Sequence, residues 1–250
     1  MIRSVLSGAA RGRLTLILFT LLLARPPQAP PPRYATEMLA CAAFREEVRT
    51  DIRSESGSAL RQETAGRGGL LIVQAVRSDS GSLVTAWYDS LTIWRQGPEG
   101  RIEPDAEGLL GGRWRGTLSA DGRYAGSQVP FIPDEVAEIT DLSGVMGDFF
   151  PPLAPEVLRA VPNRESRYRW SVKTRADTTS AVNDTLQVPM RRESEEEGTL
   201  TWDRRLGPVQ WERTITVAGG IEAKGPIKRG IRSVVTQRIR VTRLPSASCG

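Results

Sequence analysis

Alternation of apolar and polar positions dominates this chain from Phe44 onward. Phe44, Val48 and Ile52 fall on one face, and Arg45, Glu47, Arg49, Asp51 and Arg53 on the other. A spacing of four would also serve a helix. Thr50 and the Ser54-Glu55-Ser56-Gly57 run are poor helix material, so a strand from about Phe44 is expected, after a short helical turn within 36–43. Leu70–Val76 is a short apolar run, Ser78–Ser82 a turn cluster, and Leu83–Arg95 a segment rich in Val, Trp, Tyr, Thr and Ile. Together they predict a hairpin. A second hairpin is expected from Trp114–Ser119 and Arg123–Val129 around Ala120-Asp121-Gly122, because Asp-Gly tolerates the positive φ of tight turns.

Beyond Asn163 the same pattern returns. Tyr168, Trp170, Val172 and Thr174 alternate with Arg169, Ser171, Lys173 and Arg175. Thr185–Glu193 follows, then Leu200 and Trp202 before a turn at Asp203–Gly207, then Val209, Trp211, Arg213, Ile215 and Val217. Ile231–Leu244 gives a long final strand. One segment differs. After Pro133-Asp134-Glu135, the residues Val136, Ile139, Leu142, Val145, Met146 and Phe149 recur at spacings of three and four, and Phe150–Pro155 ends the run. Proline and acids at its start fit a helix N-terminus. The strands lack the helical crossovers that parallel pairing requires. The expected fold is therefore mainly β: a curved antiparallel sheet, half-barrel or barrel-like, with one covering helix near 133–149.

The N-terminus carries Arg3, Arg11 and Arg13 ahead of an apolar run from Leu14 to Ala24. That run is too short to span a membrane as a helix, which takes about 20 residues. It predicts an export signal over 1–24, either cleaved or kept as an anchor. A proline-rich linker over 25–35 and a single β-rich domain over 36–250 complete the expected organisation. The net charge of +5 owes +3 to the three leader arginines, which leaves +2 for the body. There the arginines alternate with acids, as in Arg45-Glu46-Glu47-Val48-Arg49-Thr50-Asp51, which reads as a solvated mixed face. No nucleic-acid partner is expected from such interspersed charge.

The chain has no histidine. That removes Ser-His-Asp and Cys-His catalysis and histidine metal sites at once. No phosphate-binding glycine loop is present, no cofactor is implied, and no catalytic or metal-binding residue stands out. Met38-Leu39-Ala40-Cys41 lacks the preceding apolar run of a lipid-attachment box. The two cysteines, Cys41 and Cys249, bracket the β body and are candidates for one disulfide in an oxidising compartment. The acidic run Glu193, Glu195, Glu196 and Glu197 could supply a carboxylate pair, but an acidic turn or strand end is the expectation. Asn183-Asp184-Thr185 matches a glycosylation acceptor formally. The six tryptophans could line a sugar cleft, yet most lie in alternating strands, where core packing is expected.

Leu110-Gly111-Gly112-Arg113-Trp114-Arg115-Gly116-Thr117-Leu118-Ser119-Ala120-Asp121-Gly122, then Phe149-Phe150-Pro151-Pro152-Leu153, then Trp170, resembles a family of exported bacterial cell-envelope proteins of unknown function. Those proteins carry a Gly-x-x-aromatic strand, a turn at Asp/Gly, a Phe-Pro-x-Leu-Pro segment and a following Trp strand. Ala154 stands here where the second proline is usual. The resemblance spans about Leu70–Trp211 and implies a β-rich envelope protein. It supplies no catalytic residue. The expectation is thus a non-enzymatic exported protein of the periplasm or envelope, with an envelope protein as a candidate partner. One alternative is a carrier of an apolar ligand held between sheet and helix. The other is a carboxylate-based carbohydrate-active enzyme.

Overall fold

The computed structural model describes residues 31–250 apart from Ser80, Asn163, Glu165, 182–186, 222–229, 246–248 and Gly250. The expected signal segment and the Asn183 acceptor lie outside the described residues. One compact unit runs from Pro31. A 3-10 turn at Thr36–Leu39 precedes β1 (Ala42–Ser56), β2 (Ala59–Ser78), β3 (Gly81–Gly97), β4 (Gly100–Ile102), β5 (Trp114–Leu118) and β6 (Tyr124–Gln128). Two short helices follow, α1 (Asp134–Ala137) and α2 (Val145–Phe149). Then come β7 (Arg159–Ala160), β8 (Arg167–Ala181), β9 (Gln187–Asp203), β10 (Gly207–Ile221) and β11 (Ile231–Arg243).

The strands form one antiparallel sheet in the order β6-β5-β3-β2-β1-β11-β10-β9-β8-β7, with β4 beside β3. The first and last long strands, β1 and β11, pair at its centre from Phe44–Arg243 to Ser56–Ile231. The sheet is mainly β as expected, and it is open, with β6 and β7 at its two ends.

Ring contacts show that the sheet is curled. Six interstrand steps separate β6 from β10, which in a flat sheet would span about 29 Å. Yet Tyr124 of β6 reaches Trp211 of β10 through three ring-to-ring steps, by way of Phe150 and Phe149, of 6.0, 5.2 and 5.1 Å. The two phenylalanines sit inside the curve and touch both halves.

The covering segment is present, but it is not one helix. Val136, Leu142, Val145, Met146 and Phe149 are all buried, and Ile139 partly so, as their spacing predicts. Between α1 and α2 the Asp141 carboxylate accepts from Ser143 N at 2.8 Å and from its hydroxyl at 2.5 Å. That local turn, followed by Gly144, competes with the helical ladder and breaks it.

The sequence pattern also fails to reveal the first half of β2. Gly66, Gly68 and Gly69 argue against a strand, and the structure shows what two of them do. A Cβ on Gly66 would lie 2.6 Å from the Trp94 ring, and one on Gly69 2.2 Å from Ser90 O. Close approach by β3 requires glycine at both positions.

The Asp121–Gly122 turn and the Phe149–Leu153 segment meet in space. Leu153 N donates to Asp121 O at 2.8 Å, and Gly122, at φ 89°, has Pro151 O where a Cβ would go. Trp114 Nε1 donates to Leu142 O at 3.0 Å. The Asp-Gly turn, the Phe-Pro-Pro-Leu segment and the Trp114 strand form one packing unit at the end of the sheet that Tyr34 closes. Tyr34 itself, at the end of the proline stretch, packs edge-on against Phe150 and Trp202.

Candidate functional site

Strand period assigns each residue to one face of the curl. Phe44, Glu46 and Val48 of β1 are buried while Arg45, Glu47 and Arg49 are exposed, so the even positions of β1 point inward. Their register partners share that face. The inner face therefore divides into cross-strand rows.

At one end the rows are filled. Phe44, Leu71, Tyr88, Trp114, Leu200, Trp211 and Val241 pack against Val136, Leu142, Met146 and Phe149, all at 1% exposure or less. The space between sheet and covering segment, where an apolar ligand was one expectation, is filled by the protein's own side chains.

Two buried charge clusters mark the limit of this packing. In the first, Arg67 of β2 donates to Glu46 of β1 through Nε at 3.1 Å and Nη2 at 3.0 Å, and Tyr88 of β3 donates to the same carboxylate at 2.5 Å. Arg67 Nη1 reaches Thr140 of the covering segment at 3.4 Å. Burial opposes the Arg67 charge, but Glu46 and Tyr88 more than offset it and hold the guanidinium charged. Burial first, and Glu46 second, push the Tyr88 phenol well above its usual range.

In the second cluster Arg213 of β10 is 2.9 Å from Glu196 of β9, and Trp170 of β8 donates to Glu196 at 2.7 Å. Arg213 also donates to the Asp148 carbonyl of α2. Each half of the sheet thus builds an arginine–glutamate–aromatic relay across three neighbouring strands, and each arginine grips the covering segment. Glu46 was expected on a solvated mixed face. It is 1% exposed instead, because Arg67 and Tyr88 replace its water.

Past these relays the inner face is uncovered. The next rows run Thr50–Gln237–Ile215–Glu196–Val172, then Ile52–Val235–Val217–Ser194–Thr174, then Ser54–Ser233–Gly219–Arg192–Ala176. Ile52, Val172, Ile215, Val217 and Val235 are only partly buried, and Ile231 near the rim is 49% exposed. Polar members pair with each other: Gln237 with Thr50 at 3.4 Å and Ser54 with Ser233 at 3.2 Å. Arg192 has no ion-pair partner among the described residues. The result is an open trough with an aliphatic floor and a cation on one wall.

The outer face of the same strands is charged. Asp51 takes Arg238 at 2.7 Å and Arg49 at 3.3 Å. Lys173 pairs with Glu195 at 2.8 Å, and Arg240 with Glu212 at 2.8 Å. A face of this kind cannot lie against hydrocarbon. No helix among the described residues is long and apolar enough to cross a membrane.

The acidic run lies on β9, where the strand period divides it. Glu193, Glu195 and Glu197 point outward and Glu196 inward, so no carboxylate pair faces one cleft within the run. Four tryptophans, Trp114, Trp170, Trp202 and Trp211, belong to the core. Trp87 and Trp94 face outward on β3, stacked under Arg113 at 3.6 Å and Arg101 at 4.6 Å. Among the described residues no group of His, Cys, Asp and Glu could hold a metal ion. A disulfide joins Cys41 to Cys249, with Cα atoms 5.9 Å apart.

No known family model matches the chain, and no curated protein does. Among solved structures it is similar to an outer membrane channel from Pseudomonas putida F1, with TM-score 0.23 and 10% identity over 88% of this chain and 99% of the other. A likeness that low carries no argument about fold or function.

Proposed function

We propose that this is an exported envelope protein that works by binding, and that the open half of its trough holds an aliphatic chain with an anionic head. The observation that carries the reading is the Ile52–Val235–Val217 row with Ile215 and Val172 beside it, an inner face that the covering segment leaves bare. Burying such aliphatic surface against an acyl chain gains about 25 cal/mol per Å2. Arg192 on the wall, without an ion-pair partner among the described residues, selects for a negative head group. The leader arginines with their apolar run, and the resemblance to exported envelope proteins, support the compartment.

The test is to purify the protein from its native envelope and identify extracted lipids by mass spectrometry. Delipidated protein should then bind a fluorescent fatty acid, and Val217→Asp should abolish that binding while the fold persists by circular dichroism. Protein that carries no lipid and binds no fatty acid would overturn the ligand reading. Fractionation of the native chain into the cytoplasm would overturn the compartment.

A further inference from the structure

The two flanks of the sheet are finished differently. On one side the edge of β3 is covered in three places, and the short stretch Asp89–Trp94 has no strand beside it there among the described residues. β5 pairs with Ser82–Ala86, Gly111 N donates to Tyr88 O at 3.0 Å, and β4 takes Arg95–Gly97. On the other side β7 pairs with β8 only at Tyr168 and Arg169. From Ser171 to Ala181, β8 has β9 on one flank and no strand among the described residues on the other. That leaves roughly 36 Å of open ladder. An unpaired edge of this length is a template for another strand.

The charges on this edge choose the strand. Lys173, Arg175 and Asp177 follow one another on the outer face. Lys173 is held by Glu195 at 2.8 Å. Asp177 lies 3.7 Å from Arg191, with 73% of its side chain still exposed. Arg175 lies opposite Glu193 in register but forms no ion pair among the described residues.

We propose that a second copy of this chain docks antiparallel on β8, about a two-fold axis at Ala176, so that each Arg175 faces Asp177 of the other copy. Residues directly opposite in an antiparallel pair must share a face, which restricts the register to steps of two. One step to the N-terminal side sets Arg175 against itself. A further step sets Lys173 against Arg175, and one step to the C-terminal side sets Asp177 against itself. Only the register centred on Ala176 pairs opposite charges without opposing like ones, and it does so twice. Such an interface lies at the small end of stable contacts, so the dimer is concentration-dependent. It does not depend on the trough ligand.

Sedimentation velocity from micromolar to sub-millimolar protein should show a monomer–dimer equilibrium. Asp177→Arg should weaken dimerisation by about tenfold, and adding Arg175→Asp should restore it. Ala176→Cys should give a covalent dimer under oxidising conditions, because opposed Cα atoms lie about 4.5–5.5 Å apart, within disulfide reach. A chain that stays monomeric at every concentration, with Ala176→Cys uncrosslinked, would overturn the proposal. So would a dimer indifferent to Asp177→Arg.

Discussion

Glu46 and Arg67 form a two-pronged ion pair inside the trough, with side chains 1% and 4% exposed. They sit diagonally on neighbouring strands, with Glu46 opposite Gly69 and Arg67 opposite Val48. The pair holds the covering segment through Thr140, and the Arg213–Glu196 pair does the same at Asp148. These contacts set how far the packed half of the trough extends, and therefore where the open half begins.

A buried pair of this kind is costly to break and cheap to replace. Glu46→Leu strands a buried guanidinium and should cost about 3–5 kcal/mol, and Arg67→Met should cost as much for the opposite reason. The double variant removes both charges and should cost clearly less than either single change. Urea unfolding midpoints of the three variants check this. A double variant whose loss equals the sum of the singles would mean that the pair is not coupled.

Glycine at 198 serves Trp170. A Cβ there would lie 2.2 Å from the indole ring, which also donates to Glu196. Gly198→Ala should therefore displace the ring, weaken that hydrogen bond and cost about 1–3 kcal/mol. Gly68→Ala is the control. Its Cβ would meet nothing nearer than Glu46 O at 3.6 Å, and the change should stay within about 0.5 kcal/mol. Thermal unfolding of the two variants distinguishes them.

Half-buried strands announced themselves in the sequence because their two faces differ, as at Phe44, Val48 and Ile52. The early part of β2 did not, since Gly66 and Gly69 answer to Trp94 and Ser90 on another strand. Glu46 was hidden for a similar reason. A charged residue in a charged run reads as solvated, and its burial depends on Arg67, 21 residues away, and on Tyr88, 42 residues away. Spacing alone predicts a single covering helix, and the structure divides it into α1 and α2. The spacing of Val136, Leu142, Met146 and Phe149 reports which side chains are inward, and the Asp141–Ser143 turn shows that inward side chains do not require a continuous helix. The trough rows could not be read at all before the register of β1 with β11 was known.

Stability should fall on the alkaline side. Burial raises the folded-state pKa of Tyr34 and of Tyr88 well above the ordinary value, and Glu46 adds to the shift of Tyr88. Unfolded tyrosine ionises near pH 10, so below about pH 10 both states hold the phenol proton and the stability is complete. As pH rises past 10 towards the folded values, only the unfolded chain releases it, and stability is lost. Tyr34→Phe should flatten this slope at little cost at neutral pH, because the Tyr34 hydroxyl is buried without a hydrogen-bond partner among the described residues. Unfolding free energies between pH 8 and pH 11 test it. An unchanged free energy across about pH 10–11 would contradict it.

The disulfide ties the start of β1 to the tail that follows β11. Its cysteines are 208 residues apart in sequence, so it closes a loop around nearly the whole described domain. The chain-entropy estimate for so long a loop is about 5 kcal/mol, an upper figure because residual unfolded structure reduces it. β1 and β11 are already zipped from Phe44–Arg243 onward, so the bridge is not needed to bring the strands together in the native state. Its effect falls on the unfolded chain, which it keeps from separating its ends. Cys41→Ser with Cys249→Ser should therefore leave the circular dichroism spectrum unchanged and lower the unfolding free energy by several kcal/mol. The rate of unfolding should change less than the rate of folding, because the ends must find each other before the central pair can form. Thiol titration of the oxidised native protein should detect no free cysteine. Two reactive thiols there, or a double variant as stable as the parent, would show that the ends are held by the strand pair alone.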